Sequence, residues 1–358
     1  MLRDSLHLIR GKRLGLITNP SGVDARGVST IDRLAHLPEA QLVALFAPEH
    51  GIRGVAAPGE PVSDTVDDRT GLPIYSLYGA SRAPTSSQLD SVDVLLVDLQ
   101  DVGARPYTYV STTVLALRAA AAAGKRLVVL DRPNPIGCAV QGPVLDTAYA
   151  SFLGILAVPL RHGMTLGELA RFANARLGIG ADLVVVPVRG WRRCDWFDRT
   201  GLPWVRPSPN LPDLESVAWY PGTVLFEATN LSVGRGTDAP FRQIGAPWLD
   251  APQVVQAMAR RYHVALDAVR FTPHAPGDGK FDGVALAGVR FRRMDRVRGD
   301  PVRDAVHLLA VIRALQPAAL AVDSLGLARR LGRPLGGAAT WPDEVARFVA
   351  ARRPYVLY

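Results

Sequence analysis

Glu49 follows the apolar run Leu42–Phe46 and lies within Ala47-Pro48-Glu49-His50-Gly51. Proline before it stiffens the backbone and glycine after it permits a tight turn, so the carboxyl is offered in a restricted pose. A carboxylic acid held this way can protonate a poor leaving oxygen, provided its surroundings keep the proton on it. Two plainer readings compete with that one: an ion pair with Arg53, or a cap at a helix start. Glu227, after Leu225-Phe226, is a second candidate catalytic carboxylate or else a buried partner of Arg235. Asp98, Asp101 and Asp131 stand near the ends of two expected strands. Asp101 lies farther from its strand and is the best catalytic candidate of the three. The alternative for each is to orient Arg105 or Arg132 in an ion network.

A second group suits binding. Arg105-Pro106-Tyr107-Thr108-Tyr109 offers a guanidinium fork for a carboxylate and phenol rings that stack on sugars. Plain aromatic packing at a helix start explains the same residues. His50, Arg132, Asn134, His162, Asn210, Asn230 and Arg235 are further polar residues beside expected loops. The stretch Gly234 to Ala239 matches G-x-G-x-x-A, but no strand precedes it and Pro240 follows directly. A dinucleotide fingerprint needs a strand before and a helix after. No Walker A pattern, G-x-S-x-G elbow or metal-ligand His pair is found, so neither cofactor nor metal is expected.

The elements that must position these residues alternate. Strands are expected at Leu14–Thr18, Leu42–Phe46, Ile74–Leu77, Val94–Leu99, Leu127–Leu130 and Leu183–Val186. Helices are expected at 29–36, at 111–123 and from Thr165, where Glu168 completes a capping box. Continuous apolar strands separated by helices predict a Rossmann-like, mainly parallel sheet with helices on both faces. Ligands of such sheets bind beyond the carboxyl ends of the strands, where the polar clusters fall. After about residue 190 the pattern changes. Residues 191–210 read as irregular, 213–219 as helical and 229–245 as a loop. A helix at 251–261, strands at 268–272 and 284–293, and a helix at 301–315 follow. The α/β chain therefore divides into 1–190 and a smaller α/β domain at 191–358.

The 358 residues carry a net charge of +8 and are 48% hydrophobic. Residues 1–190 hold 18 basic against 17 acidic side chains, and residues 191–358 hold 23 against 16. The excess fits an anionic substrate or an arginine-rich solvated surface. The basic residues are scattered, so no nucleic-acid partner is expected. No apolar run of 18 residues occurs, so no membrane span is expected. The two cysteines, Cys138 and Cys194, read as reduced thiols. Met1 to Lys12 lacks an apolar stretch. As given, the chain reads as cytoplasmic; a true start farther upstream would make it secreted or periplasmic.

Several stretches resemble one family. They are Gly15-Leu16-Ile17-Thr18-Asn19-Pro20-Ser21-Gly22, Phe46 to Gly51, Asp98 to Arg105 and Asp131-Arg132-Pro133-Asn134-Pro135. Arg161 to Thr165, Pro207 to Asn210, Tyr220-Pro221-Gly222, Glu227 to Ser232 and Gly234 to Thr237 continue the series. In this order they resemble the exo-β-N-acetylmuramidases, long a domain of unknown function. The resemblance implies a Rossmann-like domain, a smaller α/β domain and an active site in their cleft. It implies release of N-acetylmuramic acid from the non-reducing end of β-1,4-linked peptidoglycan fragments, di- and oligosaccharides. It places the proposed catalytic glutamate at Glu49. The lactyl carboxylate of that sugar calls for an arginine, with Arg105, Arg132 and Arg235 as candidates. Retention, inversion and assistance by the acetamido group all stay open, as do oligomeric state and two rival readings: a non-catalytic cell-wall sugar binder and a hydrolase of another anionic sugar.

Overall fold

A computed structural model describes residues 4–53, 63–336 and 341–358. The first half runs β1 (Arg13–Thr18), α1 (Thr30–Ala35), β2 (Gln41–Ala47), β3 (Thr65–Val66), β4 (Pro73–Ser76), α2 (Ser86–Leu89), β5 (Val94–Asp98) and α3 (Tyr109–Ala122). It continues through β6 (Arg126–Leu130), β7 (Gln141–Val144), β8 (Pro159–Arg161), α4 (Leu166–Arg176) and β9 (Leu183–Val186). One sheet has the order β3-β4-β2-β1-β5-β6-β9. Every pair in it is parallel except β3–β4 at the edge. The chain steps outward from β1 to β2 and β4 on one side, and to β5, β6 and β9 on the other. Order reverses between β1 and β5, and a crevice opens beyond the carboxyl ends there.

Apolar residues fill both faces because side chains alternate along each strand. Leu14, Leu16, Leu45, Leu96 and Val128 pack with Ile31 and Leu34 of α1. Their neighbours Ile17, Phe46, Val97 and Val129 pack with α3 and α4. That second core continues without a break into the other half of the chain, through Phe226, Phe241, Val289 and Leu308. Strands buried on both faces lose the polar alternation of a surface strand, which is why they read as continuous apolar runs.

The second half contains α5 (Leu214–Thr223), β10 (Gln243–Ala246), α6 (Ala251–Tyr262), β11 (Leu266–Phe271), β12 (Leu286–Phe291), α7 (Pro301–Leu315), α8 (Ser324–Leu331) and α9 (Pro342–Arg352). Its three strands form an antiparallel sheet in the order β10-β12-β11. The stretch read as a loop at 229–245 thus ends in a strand; Gly245 and flanking polar residues hid it. Gly222 of α5 lies so close to the start of α7 that a Cβ there would come within 1.9 Å of the Pro301 carbonyl oxygen. Only glycine permits that approach, and it seats the neighbouring Tyr220.

The expectation of two reduced thiols is corrected: Cys138 and Cys194 form a disulfide, with Cα atoms 4.6 Å apart. A separation of 56 residues carries no pairing signal. The chain reversal after β6 brings the two together, where Gly137 abuts Cys194 and Trp196. Reduction is expected to cost about 2–4 kcal/mol of stability through restored freedom of the unfolded chain. Thermal melts with and without reductant check this, with Cys194→Ser as the control that no longer responds.

Candidate functional site

Glu49 emerges at the carboxyl end of β2, half-buried, with Pro48 and His50 both enclosed. His50 and Gly51 both take positive φ, 73° each, and the Gly51 N–H returns to the Pro48 carbonyl at 3.0 Å. A non-glycine side chain in this region carries strain of about 1 kcal/mol or more, a feature concentrated at functional sites. Thr108 Oγ1, at the start of α3, donates to Glu49 Oε2 at 2.6 Å. The Tyr78 phenol, beyond β4, lies close enough to Glu49 to feel its charge. Burial first, and then the charge of Glu49, raise the Tyr78 pKa. Arg53 pairs with Asp67.

Aromatic residues build the wall beside it. Tyr107 and Tyr109 both donate to the Pro207 carbonyl, at 2.8 and 2.7 Å. Their rings meet edge-on at 4.7 Å, and Tyr220 stands edge-on to Tyr107 at 6.0 Å. Burial raises the pKa of all three hydroxyls. The Tyr220 hydroxyl is raised further by the charge of Glu227 and then of Glu49, so both carboxylates act on it.

Glu227 approaches from the second half. Its Oε1 accepts from Arg235 Nε at 3.1 Å and from Nη2 of the same fork. Arg330 Nη2 lies 3.5 Å from Oε2. Burial opposes the Glu227 charge, but Arg235 and then Arg330 outweigh it and hold the carboxyl below its ordinary range. Arg235 reaches it because Gly234 and Gly236, on either side, take φ of 75° and 73°. At Gly236 a Cβ would meet the His274 carbonyl oxygen at 2.4 Å. The Gly234 to Ala239 stretch is therefore a tight loop, with no helix opening from it. Lys280 Nζ bonds to the carbonyls of Glu227, Thr229 and Leu231 and fixes the backbone below.

The remaining sequence candidates fall into two sets. Asn210, with Arg206, Gly236, Thr237 and Pro276, lines a cavity of about 470 Å³. Arg132 lines another of about 700 Å³ and, like Asn230, is half-buried, whereas Arg105, Asp101, Asn134 and His162 are held inside the fold. Arg105 is 1% exposed. Its guanidinium donates to the carbonyls of Pro143, Val158 and Arg330 at 3.0, 2.6 and 2.9 Å. Arg132 Nε and Nη2 grip Asp98 at 2.6 and 3.0 Å. Asp101 Oδ2 accepts from the Gly103 N–H at 2.8 Å and faces His162 Nε2 at 3.5 Å. Asn134 joins the Met164 carbonyl to the Ile136 N–H. Asn230 ties Ala319 to Ala321 in the same manner. These roles fix the fold: Arg105, Asn134 and Asn230 hold main-chain groups, Arg132 holds Asp98, and Asp101 holds Gly103 and faces His162. Thr108, Tyr78, Tyr220 and Arg330 join the candidate site. Thr108 and Tyr220 lie in stretches the sequence singled out and Tyr78 at a strand end; Arg330 had no signal. A roomier apolar cavity of about 620 Å³, between α9, α4 and β7, holds none of these residues.

Asp131 stands half-buried at the end of β6, on the wall of a cavity of about 700 Å³, where Thr165 Oγ1, the Gly167 N–H and the Tyr358 hydroxyl donate to it at 2.6, 2.8 and 2.7 Å. Burial outweighs those donors and pushes its pKa up to about 6. The folded state then holds this proton more tightly than the unfolded chain. Stability is expected to fall by up to about 3 kcal/mol as pH rises from about 4 to about 6. Urea titrations across that window check it; Asp131→Asn should flatten the slope.

Comparison with known proteins extends this picture. Residues 14–215 match the family model "Exo-beta-N-acetylmuramidase NamZ, N-terminal", and residues 218–358 match its C-terminal counterpart. The peptidoglycan beta-N-acetylmuramidase NamZ of Bacillus subtilis (strain 168) is 43% identical over 318 residues, covering 88% of this chain and 77% of that one. The crystal structure of a DUF1343 family protein from Bacteroides fragilis NCTC 9343 superposes with a TM-score of 0.90 at 33% identity, covering 100% of this chain and 97% of that one. A second DUF1343 structure from the same organism gives 0.74 at 32% identity, covering 98% and 95%.

Proposed function

This chain belongs to the exo-β-N-acetylmuramidase NamZ family, and from that premise we propose that it is an exo-acting glycoside hydrolase with Glu49 as its general acid. It releases N-acetylmuramic acid from the non-reducing end of β-1,4-linked peptidoglycan fragments. The observation that carries the assignment is the contrast between two carboxyls whose charges both act on Tyr220. Glu49 accepts from the Thr108 hydroxyl, and its charge reaches the Tyr78 phenol. Glu227 sits among cations and stays ionised. Carboxyls in contrasting surroundings divide the work of acid and stabilising base.

Glu49 hands its proton to the bridging oxygen as the bond to the anomeric carbon lengthens. Glu227 supplies fixed negative charge against the oxocarbenium-like centre that develops. Tyr107, Tyr109 and Tyr220 are buried behind the site and brace it through ring packing and the bonds to Pro207. Asp101 takes no part in this scheme, since its carboxyl is turned to Gly103 and His162.

Among the described residues no helix is long and apolar enough to cross a membrane. The Cys138–Cys194 disulfide favours an oxidising compartment over the cytoplasm.

The test is incubation with N-acetylmuramic acid β-1,4-linked to N-acetylglucosamine, followed by mass analysis. Free N-acetylmuramic acid is expected. Tight binding without product on long incubation would replace the enzyme with a sugar-binding protein. The anomer first released separates retention from inversion.

A further inference from the structure

The terminal sugar of that substrate carries a carboxylate on its lactyl arm, and the three arginines expected to meet it are engaged elsewhere. Arg105 is spent on carbonyls, Arg132 on Asp98 and Arg235 on Glu227. Arg82 differs from all of them. It is exposed and lies four residues beyond Tyr78. Its guanidinium carbon stands 3.9 Å over the centre of the Tyr78 ring and 4.5 Å from that of Phe152. The two rings are themselves 5.8 Å apart. Among the described residues Arg82 forms no ion pair; it is held by the two rings and by its charge acting on the Tyr78 hydroxyl.

Stacking engages the face of a guanidinium and leaves its in-plane N–H edges unspent. Two rings therefore fix the height and tilt of a fork whose donors still need an acceptor. Such preorganisation reduces the entropy lost on gripping a carboxylate. The placement also fits the ligand. The lactyl arm hangs from the third ring carbon, two positions around the ring from the anomeric carbon whose bond breaks. Its carboxylate must be met about one ring's width from the acid. Tyr78 links Arg82 to Glu49: its ring face carries Arg82, and its phenol feels the Glu49 charge.

We infer that Arg82 grips the lactyl carboxylate and sets the preference for N-acetylmuramic acid over N-acetylglucosamine. The inference rests on the muramidase reading of the cleft and adds a specificity residue to it.

The experiment compares aryl β-glycosides of N-acetylmuramic acid, of its lactyl methylamide and of N-acetylglucosamine, with the parent protein, Arg82→Gln and Arg82→Lys. For Arg82→Gln, kcat/KM on the carboxylate substrate is expected to fall about 10–100-fold, mainly through KM. On the uncharged methylamide the fall should be less than about 3-fold, so the preference for charge collapses. Arg82→Lys should fall between, keeping the charge without the fork. Matching melting temperatures establish that the variants are folded. An equal loss on all three substrates would assign Arg82 a structural role, and an unchanged carboxylate-to-methylamide ratio would dismiss it outright; either overturns the inference alone. A parent protein that cleaves none of the N-acetylmuramic acid glycosides removes the muramidase reading and this inference with it.

Discussion

Glu49→Gln is expected to fold as the parent does and to release N-acetylmuramic acid about 10²–10⁴-fold more slowly. The amide keeps the shape of the side chain. Its oxygen still accepts from Thr108 Oγ1, which now sits 2.6 Å from the carboxylate. What it loses is the proton that the bridging oxygen needs as it leaves. The size of the defect should therefore depend on the leaving group. With the disaccharide, whose sugar alkoxide is a poor leaving group, the loss should be full. With an activated aryl glycoside, whose phenolate departs unaided, it should shrink by at least about tenfold. Rates on the two substrates, with a thermal melt of each protein, check this. Full activity of the variant would remove the acid role. A defect of equal size on both substrates would turn Glu49 into a group that only binds or orients.

Arg105→Met is expected to have the largest effect on stability, about 3–5 kcal/mol, equivalent to a melting temperature lower by about 5–10 °C. The side chain is 1% exposed and spans three separate segments. It donates to Pro143 on β7, to Val158 beside β8 and to Arg330 on α8, so it staples the hairpin of the first half to the end of the second. Methionine fills much of the volume and satisfies none of the three carbonyls. Burial already opposes the arginine's charge, and the carbonyl dipoles are what offset it. The sequence alone suggests another outcome. An arginine that bound substrate would raise KM on replacement and leave the melting temperature in place. Calorimetry and steady-state kinetics on the one variant separate these cases.

The fold was legible because its cause is local and repeated. Apolar runs at 94–98 and 127–129 fill both faces of a sheet, and Thr165 with Glu168 caps α4 by its own side chains. The position of Glu49 was legible for a similar reason: a strand end, a proline and a turn lie within a few residues of one another. The β7–β8 pair, β10, α8 and α9 were not read. They are short, or their apolar faces are completed by distant segments.

What the amino-acid sequence settled by itself was the alternation of elements, the ordered motifs of the family and the placement of one carboxyl at a strand end. What only the tertiary structure decided was partnership. Arg105, Arg132, Arg235 and Arg82 are alike as letters, yet the first meets three carbonyls, the second Asp98, the third Glu227 and the last two aromatic rings. Cys138 and Cys194 likewise became a pair only once the chain had turned back on itself. A guanidinium or a thiol takes its role from whatever lies within a few ångströms, and those neighbours are up to 225 residues away along the chain.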